Sequence, residues 1–368
     1  MDWNDTGYSY IVEVNVVSQT NVDLVIGSLH GVKLEGMVIS ENYYSDSRIQ
    51  AKLKTVVDEG ESDGYVNYGR LRIILTIPER EWSEELITGY VSNISEDSQH
   101  GYTQREYTIE GTIWGLLDHK INATVSISSG AGMVNIWKDL MANQTKMQYS
   151  TTNAKDHSFN STKVYEAGTS LSTLLFEICS GYSRMDTNGH GVVVLDKYTA
   201  PKNRTPSRVI DFTNPRGLSL YPLTSSNSNM SEQPGRAIVT ASVSESNGDG
   251  AASQKILVGC YDAPASDPTS IANRGWLKAR LDSYSGSSEN PTKAELDAEA
   301  ENNWKNNQDG TKEWNMSTVF ADYHEGEVVT LIPPSSYSEG KSTGIKVLVS
   351  GVRTNLEDFT QELTLKEV

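Results

Sequence analysis

Cysteine and long apolar runs are what this chain of 368 residues most clearly lacks. Its two cysteines, Cys179 and Cys260, are too few for a disulfide framework, and no CxxC pair is present. No run of about 18 apolar residues exists, so we expect no membrane-spanning helix. The first residues show neither the positive nor the apolar segment of a secretory signal, so we expect synthesis in a cytoplasm.

Positive charge is also scarce, since 31 Lys and Arg stand against 48 Asp and Glu, a net charge of −17. A protein that grips nucleic-acid phosphates needs the opposite sign. An acidic surface suits a wall past which nucleic acid moves without adhering, although charge alone favours simple solubility. The aromatic content, 7 Trp, 18 Tyr and 5 Phe, is too high for a disordered chain, and the length allows about two to four domains.

The usual catalytic and metal-binding motifs are absent or incomplete: the six histidines show no HxxxH or HExxH spacing, and no GxSxG elbow is present. Residues 186–191 (DTNGHG) begin like an EF-hand loop, but Lys197 stands where a carboxylate must bind, so a helix-to-strand turn is favoured. Residues 130–132 (GAG) lack the third glycine of a dinucleotide loop. Trp82 among four glutamates at 79–85 favours a solvated loop or helix start over a glycosidase pair. We predict no catalytic residue, no cofactor and no metal site.

Alternation of apolar and polar residues dominates residues 1–118. Residues 8–16 and 48–57 alternate with period two, which predicts strands with one buried and one wet face. Residues 71–77 (LRIILTI) predict a more buried strand that ends at Pro78. Further strands are predicted at 86–91 and 107–113. About six short strands with few helix signals predict a β-barrel or sandwich.

Residues 119–205 have the pattern of a small α+β module. Apolar residues at helical spacing predict a helix over 170–182, with Cys179 on its apolar face and therefore in the core. A turn and a Val-rich strand are predicted at 186–195. The module ends in a linker, 197–208, that carries basic residues and no acidic one.

Strands return from Val209 and are interrupted by one helical stretch. Residues 269–306 are predicted to be helical, with Asn290 as N-cap and Pro291 at the first helical position. Strands are predicted on either side at 236–244, 255–261, 313–323, 327–332, 345–354 and 359–366. The predicted fold is mainly β with α+β, in four parts: a barrel at 1–118, an α+β insert at 119–205, a second barrel at 206–265 plus 311–368, and a helical insert at 266–310.

Three stretches occur in an order that is informative as a set. Residues 87–91 (ITGYV) are followed by 107–118, which ends in a Leu-Leu-Asp step. Residues 167–195 run from Ala-Gly-Thr-Ser into the predicted helix and the Val-rich strand, and residues 326–365 begin with GEVVTL and end in a hairpin pattern. In this order, over nearly the whole chain, they resemble the hub family of phage tails, which includes the baseplate hub of contractile tails and the tail-tip hub of long-tailed phages.

The resemblance implies two tail-tube-like β-barrel domains with two smaller inserted domains, and a structural protein rather than an enzyme. Hubs of this family are trimers, so three chains present six similar barrels to a sixfold tail tube and a threefold underside to a spike. The implied partners are two further copies, a tail tube or distal tail protein above, a spike or tip protein below, and the tape measure protein and DNA inside the channel. The implied location is the virion, at the tail tip or baseplate.

Two sets of residues are candidate contact sites under this resemblance. The strands around 48–57 and 359–365 are expected to pair or stack with neighbours. The residues concerned are Arg48, Gln50, Lys52, Lys54, Thr360, Glu362 and Thr364. A basic linker is expected to dock on an acidic partner surface through Lys197, Lys202, Arg204 and Arg208.

Two other functions stay open on the residues alone. A carbohydrate-binding tail or surface adhesin would stack sugars on exposed Trp82, Trp276 and Trp304. A tail-associated cell-wall hydrolase is disfavoured, because the sequence shows no acid/base pair at a usable spacing.

Overall fold

A computed structural model describes most of the chain. The described residues are 9–45, 47–58, 66, 69–99, 101–159, 162–213, 223–227, 234–246, 252–267, 269–275, 278–284, 291–308, 312–334 and 344–368. The chain divides into two compact units: unit 1 comprises Met1–Thr224 and Asn315–Leu365, and unit 2 comprises Ser225–Trp314 and Lys366–Val368.

Strands outnumber helices in the described ranges, which confirms the prediction of a mainly β fold with an α+β part. The strands are β1 (Ile11–Ser18), β2 (Val25–Ser28), β3 (Val32–Asn42), β4 (Ile49–Asp58), β5 (Gly69–Ile77), β6 (Trp82–Gln99), β7 (Tyr102–Gly111), β8 (Val125–Ile127), β9 (Tyr149–Ser150), β10 (Lys163–Tyr165), β11 (Ser183–Thr187), β12 (Val193–Lys197), β13 (Val209–Asp211), β14 (Thr224–Asn227), β15 (Arg236–Ser246), β16 (Ala252–Asp262), β17 (Ala279–Ser283), β18 (Lys312–Val319), β19 (Val328–Ile332), β20 (Ile345–Asn355) and β21 (Thr360–Glu367). The helices are α1 (Trp114–Leu117), α2 (Met133–Gln144), α3 (Leu171–Cys179), α4 (Ile271–Arg274) and α5 (Lys293–Gln308).

One large sheet dominates unit 1. Its strands run in the order β18-β21-β20-β3-β4-β7-β6-β5-β1-β2, and β19 pairs with both β20 and β13. The early and the terminal strands meet where β20 pairs antiparallel with β3, with Gly351 opposite Asn42 and Asn355 opposite Val38. Strands from both ends of the chain therefore share one hydrogen-bonded ladder.

The alternation that predicts β4 also decides which of its faces is buried. Ala51 and Leu53 are buried, whereas Lys52 between them is exposed. Leu53 belongs to the same core as Leu71 and Ile73 of β5. Burial of each such side chain contributes roughly 1.5–3 kcal/mol, so this face holds the early strands together.

The α+β module has a core of its own within unit 1. The helix predicted over 170–182 is confirmed as α3, which is shorter at both ends (Leu171–Cys179), and Cys179 is buried as expected. Trp137 of α2, Leu174 of α3 and Leu195 of β12 are fully buried together. The module is therefore stabilised by its own apolar core, and its surface packs on the main sheet.

Unit 2 consists of the sheet β16-β15-β17 with α5 against one face. β15 pairs antiparallel with β16 and parallel with β17. The buried residues between sheet and helix are Ala237, Val239, Ala263, Leu296, Ala300 and Trp304. A Cβ on Gly259 of β16 would lie 2.3 Å from the backbone of Leu296, so only glycine allows the helix to approach this closely.

The segment predicted to be helical over 269–306 is only partly so, because the strand β17 lies between α4 and α5. Helix α5 begins after Thr292, so Pro291 precedes the helix instead of occupying its first position. Asn290 lies outside the described residues. A capping box starts the helix: Thr292 N donates to Glu295 Oε2 at 2.6 Å, and Glu295 N donates to Thr292 Oγ1 at 3.3 Å.

The strands predicted to form the second barrel, at 206–265 plus 311–368, belong to two different sheets. β15 and β16 pair with each other and with β17 in unit 2. β13 instead joins the terminal strands, because it pairs parallel with β19 from Val209 to Asp211. The four-part domain division stays a prediction, while the strand pairing groups the terminal strands with the early barrel strands.

Candidate functional site

The predicted contact strands lie inside the main sheet. β4 lies between β3 and β7, and β21 lies between β18 and β20. Their backbone groups are hydrogen-bonded on both sides, so these strands cannot pair with a strand of another subunit. Contact through side chains stays a prediction: Lys52 and Glu362 are exposed, whereas Gln50 Nε2 donates to Glu110 Oε1 at 2.6 Å.

Arg48 is turned into the chain, toward the α+β module. Its Nη1 donates to the carbonyl of Tyr43, and its guanidinium lies 5.7 Å from the ring centre of Phe176 on α3. Burial and the neighbouring Arg184 lower the pKa of Arg48. Arg48 therefore joins the main sheet to the module, and its contact with another subunit stays a prediction.

Two of the four basic linker residues also bind the chain itself. Arg204 Nη1 donates to the carbonyl of Gly326 at 2.7 Å. Arg208 donates from Nη1 to the carbonyl of Ala321 and from Nη2 to the carbonyl of Asp322, each at 2.6 Å. These guanidinium groups hold the 320–327 loop between β18 and β19. Docking of the linker on an acidic partner stays a prediction. Of the four basic residues, Lys197 and Lys202 are exposed.

The turn at 186–191 is a hairpin between β11 and β12, so the prediction of a helix-to-strand turn is wrong. Its tip packs directly on β6. A Cβ on Gly189 would lie 1.6 Å from the carbonyl oxygen of Glu85, and Thr88 Oγ1 donates to the Gly189 carbonyl at 2.8 Å. The residues that resemble a calcium loop therefore serve as a docking tip, since glycine alone allows this approach.

His190 in this hairpin lies between two carboxylates. Its Nδ1 is 2.5 Å from Glu85 Oε2, and its Nε2 is 2.8 Å from Asp23 Oδ1. Arg72 Nη1 is 2.9 Å from Glu85 Oε1 and is almost fully buried. The hydrogen bonds of Asp23 to His190 and to Gln148 lower the pKa of Asp23. We call Asp23, Arg72, Glu85 and His190 the His190 cluster.

A second histidine, His324 in the 320–327 loop, lies among three carboxylates. Its Nε2 is 3.0 Å from Asp322 Oδ1 and 3.1 Å from Glu84 Oε1, and its Nδ1 is 3.3 Å from Glu41 Oε1. Burial alone would lower the pKa of His324, but the hydrogen bonds to Asp322, Glu41 and Glu84 outweigh it and raise that pKa. We call Glu41, Glu84, Asp322 and His324 the His324 cluster.

The pKa values of the two carboxyl groups beside His324 Nε2 are shifted in opposite directions. Burial raises the pKa of Glu84. Burial also acts to raise the pKa of Asp322, but hydrogen bonds to His324 and Glu84 hold it below its usual range. The ligand atoms of Glu84, Asp322 and His324 all lie within 4.8 Å of one another, so these three residues can hold a metal ion.

Glu41 connects the His324 cluster to the α+β module. Glu325 N donates to Glu41 Oε2 at 3.0 Å, and Arg184 Nη2 of β11 donates to Glu325 Oε1 at 2.6 Å. The Arg184 guanidinium lies 3.8 Å from the ring centre of Tyr43. Burial raises the pKa of Glu325 to about 7, although Arg184 acts in the opposite direction. The early sheet, the module and the terminal loop therefore meet at one half-buried ionic network.

Sequence reasoning missed this network because its members are far apart in the chain. Glu84 belongs to the acidic run that is predicted to be a solvated loop or a helix start, whereas β6 begins at Trp82 and Glu84 is half-buried. Asp322 and His324 are two residues apart, a spacing that by itself specifies no ligand set. The pairing of β20 with β3 brings the terminal loop next to Glu41, and the packing of Phe320 on Trp82 brings it next to Glu84.

Two of the three tryptophans predicted as sugar platforms pack against apolar cores. Trp304 is buried in the core of unit 2, and its Nε1 donates to the Pro234 carbonyl at 3.2 Å. Trp82 lies 5.8 Å from Phe320, centre to centre, and packs against the core of the main sheet. Trp276 lies outside the described residues.

Solved structures with this fold include phage tail proteins. The tail protein from Neisseria meningitidis MC58 matches with a TM-score of 0.65 and 13% identity, over 98% of this chain and 97% of that chain. The 43 kDa tail protein of prophage MuSo2 from Shewanella oneidensis matches with a TM-score of 0.61 and 9% identity, over 97% and 98%. An Escherichia coli component of the type VI secretion system, described as structurally similar to bacteriophage T4 tail proteins, matches with a TM-score of 0.50 and 10% identity, over 98% and 75%.

The chain therefore has the fold of phage tail hub proteins, and the resemblance predicted from sequence is confirmed at the level of the fold. No family model matches the sequence, and no curated protein is similar to it in sequence. Among the described helices, none combines the length and the apolar character that crossing a bilayer requires.

Proposed function

We propose that this protein is a structural component of a phage tail, the hub at the tail tip or baseplate. The observation that carries the proposal is the match to tail proteins over nearly the full length of both chains. A single shared barrel would leave most of one chain unmatched. The arrangement of all the parts in order therefore favours the same kind of assembly role.

The proposed assembly is a homotrimer that forms a ring. Early and terminal strands lie side by side in one sheet, so each chain contributes a wide stretch of wall. Three copies, each with two tube-like barrels, present six similar positions to a sixfold tail tube and a threefold underside to a spike or tip protein. The two barrels in this proposal are formed by the strands of 1–118 and by the terminal strands of 311–368 together with β13, because β15 and β16 pair in a separate sheet.

The proposed channel passes DNA and the tape measure protein. The net charge of −17 per chain disfavours adhesion of phosphates to the wall, which a passage for DNA requires. We propose no enzymatic activity, since the clustered glutamates and tryptophans in the described residues are engaged in ion pairs and packing. The protein would be made in the host cytoplasm and would act in the virion.

Light scattering and electron microscopy of the purified full chain test the proposal. We expect a mass of three chains at tens of micromolar and a threefold ring in class averages. A monomer that stays monomeric when the tail tube or distal tail protein of the same particle is added would contradict it. Glycan binding with quenching of tryptophan fluorescence would favour the adhesin, and clearing of a cell-wall suspension would favour the hydrolase.

A further inference from the structure

The His324 cluster has the geometry of a metal site. The ligand atoms of Glu84, Asp322 and His324 converge within 4.8 Å of one another. Nε2 of the imidazole faces both carboxylates, at 3.0 Å from Asp322 Oδ1 and 3.1 Å from Glu84 Oε1. A cation between these three atoms needs only small shifts to reach ligand distances of about 2.0–2.2 Å.

The other ring nitrogen of His324 has the partner that a metal-bound histidine usually has. Nδ1 lies 3.3 Å from Glu41 Oε1. Imidazole ligands commonly donate this second N–H to a carboxylate, which fixes the tautomer that leaves Nε2 free to bind a metal. Glu41 is itself held, because its Oε2 accepts a hydrogen bond from Glu325 N at 3.0 Å.

The side chains of the His324 cluster also leave it with an excess of negative charge. Three carboxylates surround one imidazole, and even a protonated His324 leaves two negative charges. The neighbouring Arg208 guanidinium donates to the backbone carbonyl of Asp322 and pairs with Glu327 at 3.3 Å. A divalent cation would neutralise the excess in a half-buried place where unpaired charge is costly.

We propose that Glu84, Asp322 and His324 bind a divalent first-row transition cation, with Glu41 positioning the histidine. One imidazole with two carboxylates favours Zn²⁺ or Mn²⁺ over Ca²⁺ and Mg²⁺, which take oxygen ligands. Zn²⁺ should bind more tightly than Mn²⁺, following the general order of affinities. The ligands come from β6 and from the 320–327 loop, so the cation would clamp the terminal loop to the early sheet.

Calorimetric titration of the full chain, after treatment with EDTA, tests the site with Zn²⁺ and separately with Mn²⁺. We expect one Zn²⁺ per chain, with binding lost in Glu84→Gln and in Asp322→Asn. Glu41→Gln should bind about 10–100-fold more weakly, as expected for a positioning residue. Glu85→Gln is the matched control, because Glu85 is the next residue of the same strand and contacts the other histidine; its binding should equal that of the wild type.

A second measurement needs no variant. Thermal denaturation of the EDTA-treated wild-type chain is followed with and without added Zn²⁺. The melting temperature should rise with Zn²⁺, because an ion that binds only the folded chain stabilises it. Absence of Zn²⁺ and Mn²⁺ binding to the wild-type chain, or binding that survives in Glu84→Gln and Asp322→Asn, would overturn the proposal and leave the cluster as an ionic contact only.

Discussion

Glu84 and Glu85 are neighbours on β6, yet each contacts a histidine from a different distant segment. Glu85 contacts His190 in the hairpin of the α+β module, and Glu84 contacts His324 in the terminal loop. In the His190 cluster the buried Arg72 also pairs with Glu85 at 2.9 Å. In the His324 cluster three carboxylates share one imidazole.

The two clusters differ in charge balance, because the His190 cluster contains Arg72 where the His324 cluster has a third carboxylate. Two carboxylates, one arginine and one histidine leave the His190 cluster close to neutral, so it can serve as an ionic docking contact without an added cation. The His324 cluster keeps an excess of negative charge, which is why it is the better cation site. A histidine between carboxylates is therefore informative only together with the count of nearby cations.

Among the substitutions near the His190 cluster, Gly189→Ala should cause the largest loss of stability. The added Cβ would meet the Glu85 carbonyl, so the hairpin must leave β6 and the His190 contacts must separate. We expect a loss of about 3 kcal/mol in the free energy of unfolding of unit 1, measured by urea denaturation. Thr152→Ala, in an exposed part of the same module, is the control. A change below about 0.5 kcal/mol for Gly189→Ala would show that the tip is not docked.

Arg72→Met tests the charge balance of the His190 cluster directly. The change removes the ion pair of Glu85 and the donors to Thr88 Oγ1 and the Val22 carbonyl. We expect a loss of about 2 kcal/mol by urea denaturation, because buried acceptors lose their partner while Glu85 is partly reached by water. Arg353→Met removes an exposed ion pair with Glu362 and should cost little. Equal effects of the two changes would contradict the comparison.

Glu41→Gln should have a smaller effect on stability in the metal-free protein. The amide oxygen can still accept one of the two hydrogen bonds, from Glu325 N or from His324 Nδ1. The change also removes one of three negative charges, which offsets part of the loss. We expect destabilisation of about 1 kcal/mol with EDTA present, by thermal denaturation. A loss as large as that of Arg72→Met would mean that the two clusters do not differ in charge balance as described.

Thiol labelling should distinguish undocking of the module from its unfolding. Burial raises the pKa of Cys179 to about 11, so this thiol should stay protonated and unreactive with iodoacetamide at pH 8, whereas the exposed Cys260 should react. Intact mass should therefore show one addition per chain. Gly189→Ala should also show one, because undocking of the hairpin tip leaves the module core closed; a second addition would mean that undocking of the tip also opens that core.

Individual strands and their faces were predictable because alternation is a local property. Ala51 and Leu53 had to face a core and Lys52 had to face water, whatever the neighbouring strand. The helix around Leu174 and Cys179 was predictable for the same reason, since its apolar residues lie one turn apart. The strand β17 was missed because residues 279–283 carry charge and a weak apolar pattern within a helical neighbourhood.

The long-range pairings were not predictable in the same way. No local signal announces that β20 lies beside β3, because either strand could have paired with any edge of suitable length. The inward use of Arg204 and Arg208 depends on that pairing, since their acceptors lie in the terminal loop. The His324 cluster depends on it too, with members from β3, β6 and the loop.

Sequence alone determined the β-rich composition, the faces of the strands, the helix of the module and the acidic charge of the whole chain. These properties depend on residues a few positions apart or on simple sums, so no fold is needed to read them. The tertiary structure decided which carboxylates contact which histidine and which arginines bind groups of the same chain. Such contacts join residues as far apart as 105 positions for Glu85 and His190 and 283 positions for Glu41 and His324, so only the pairing of distant strands brings them together.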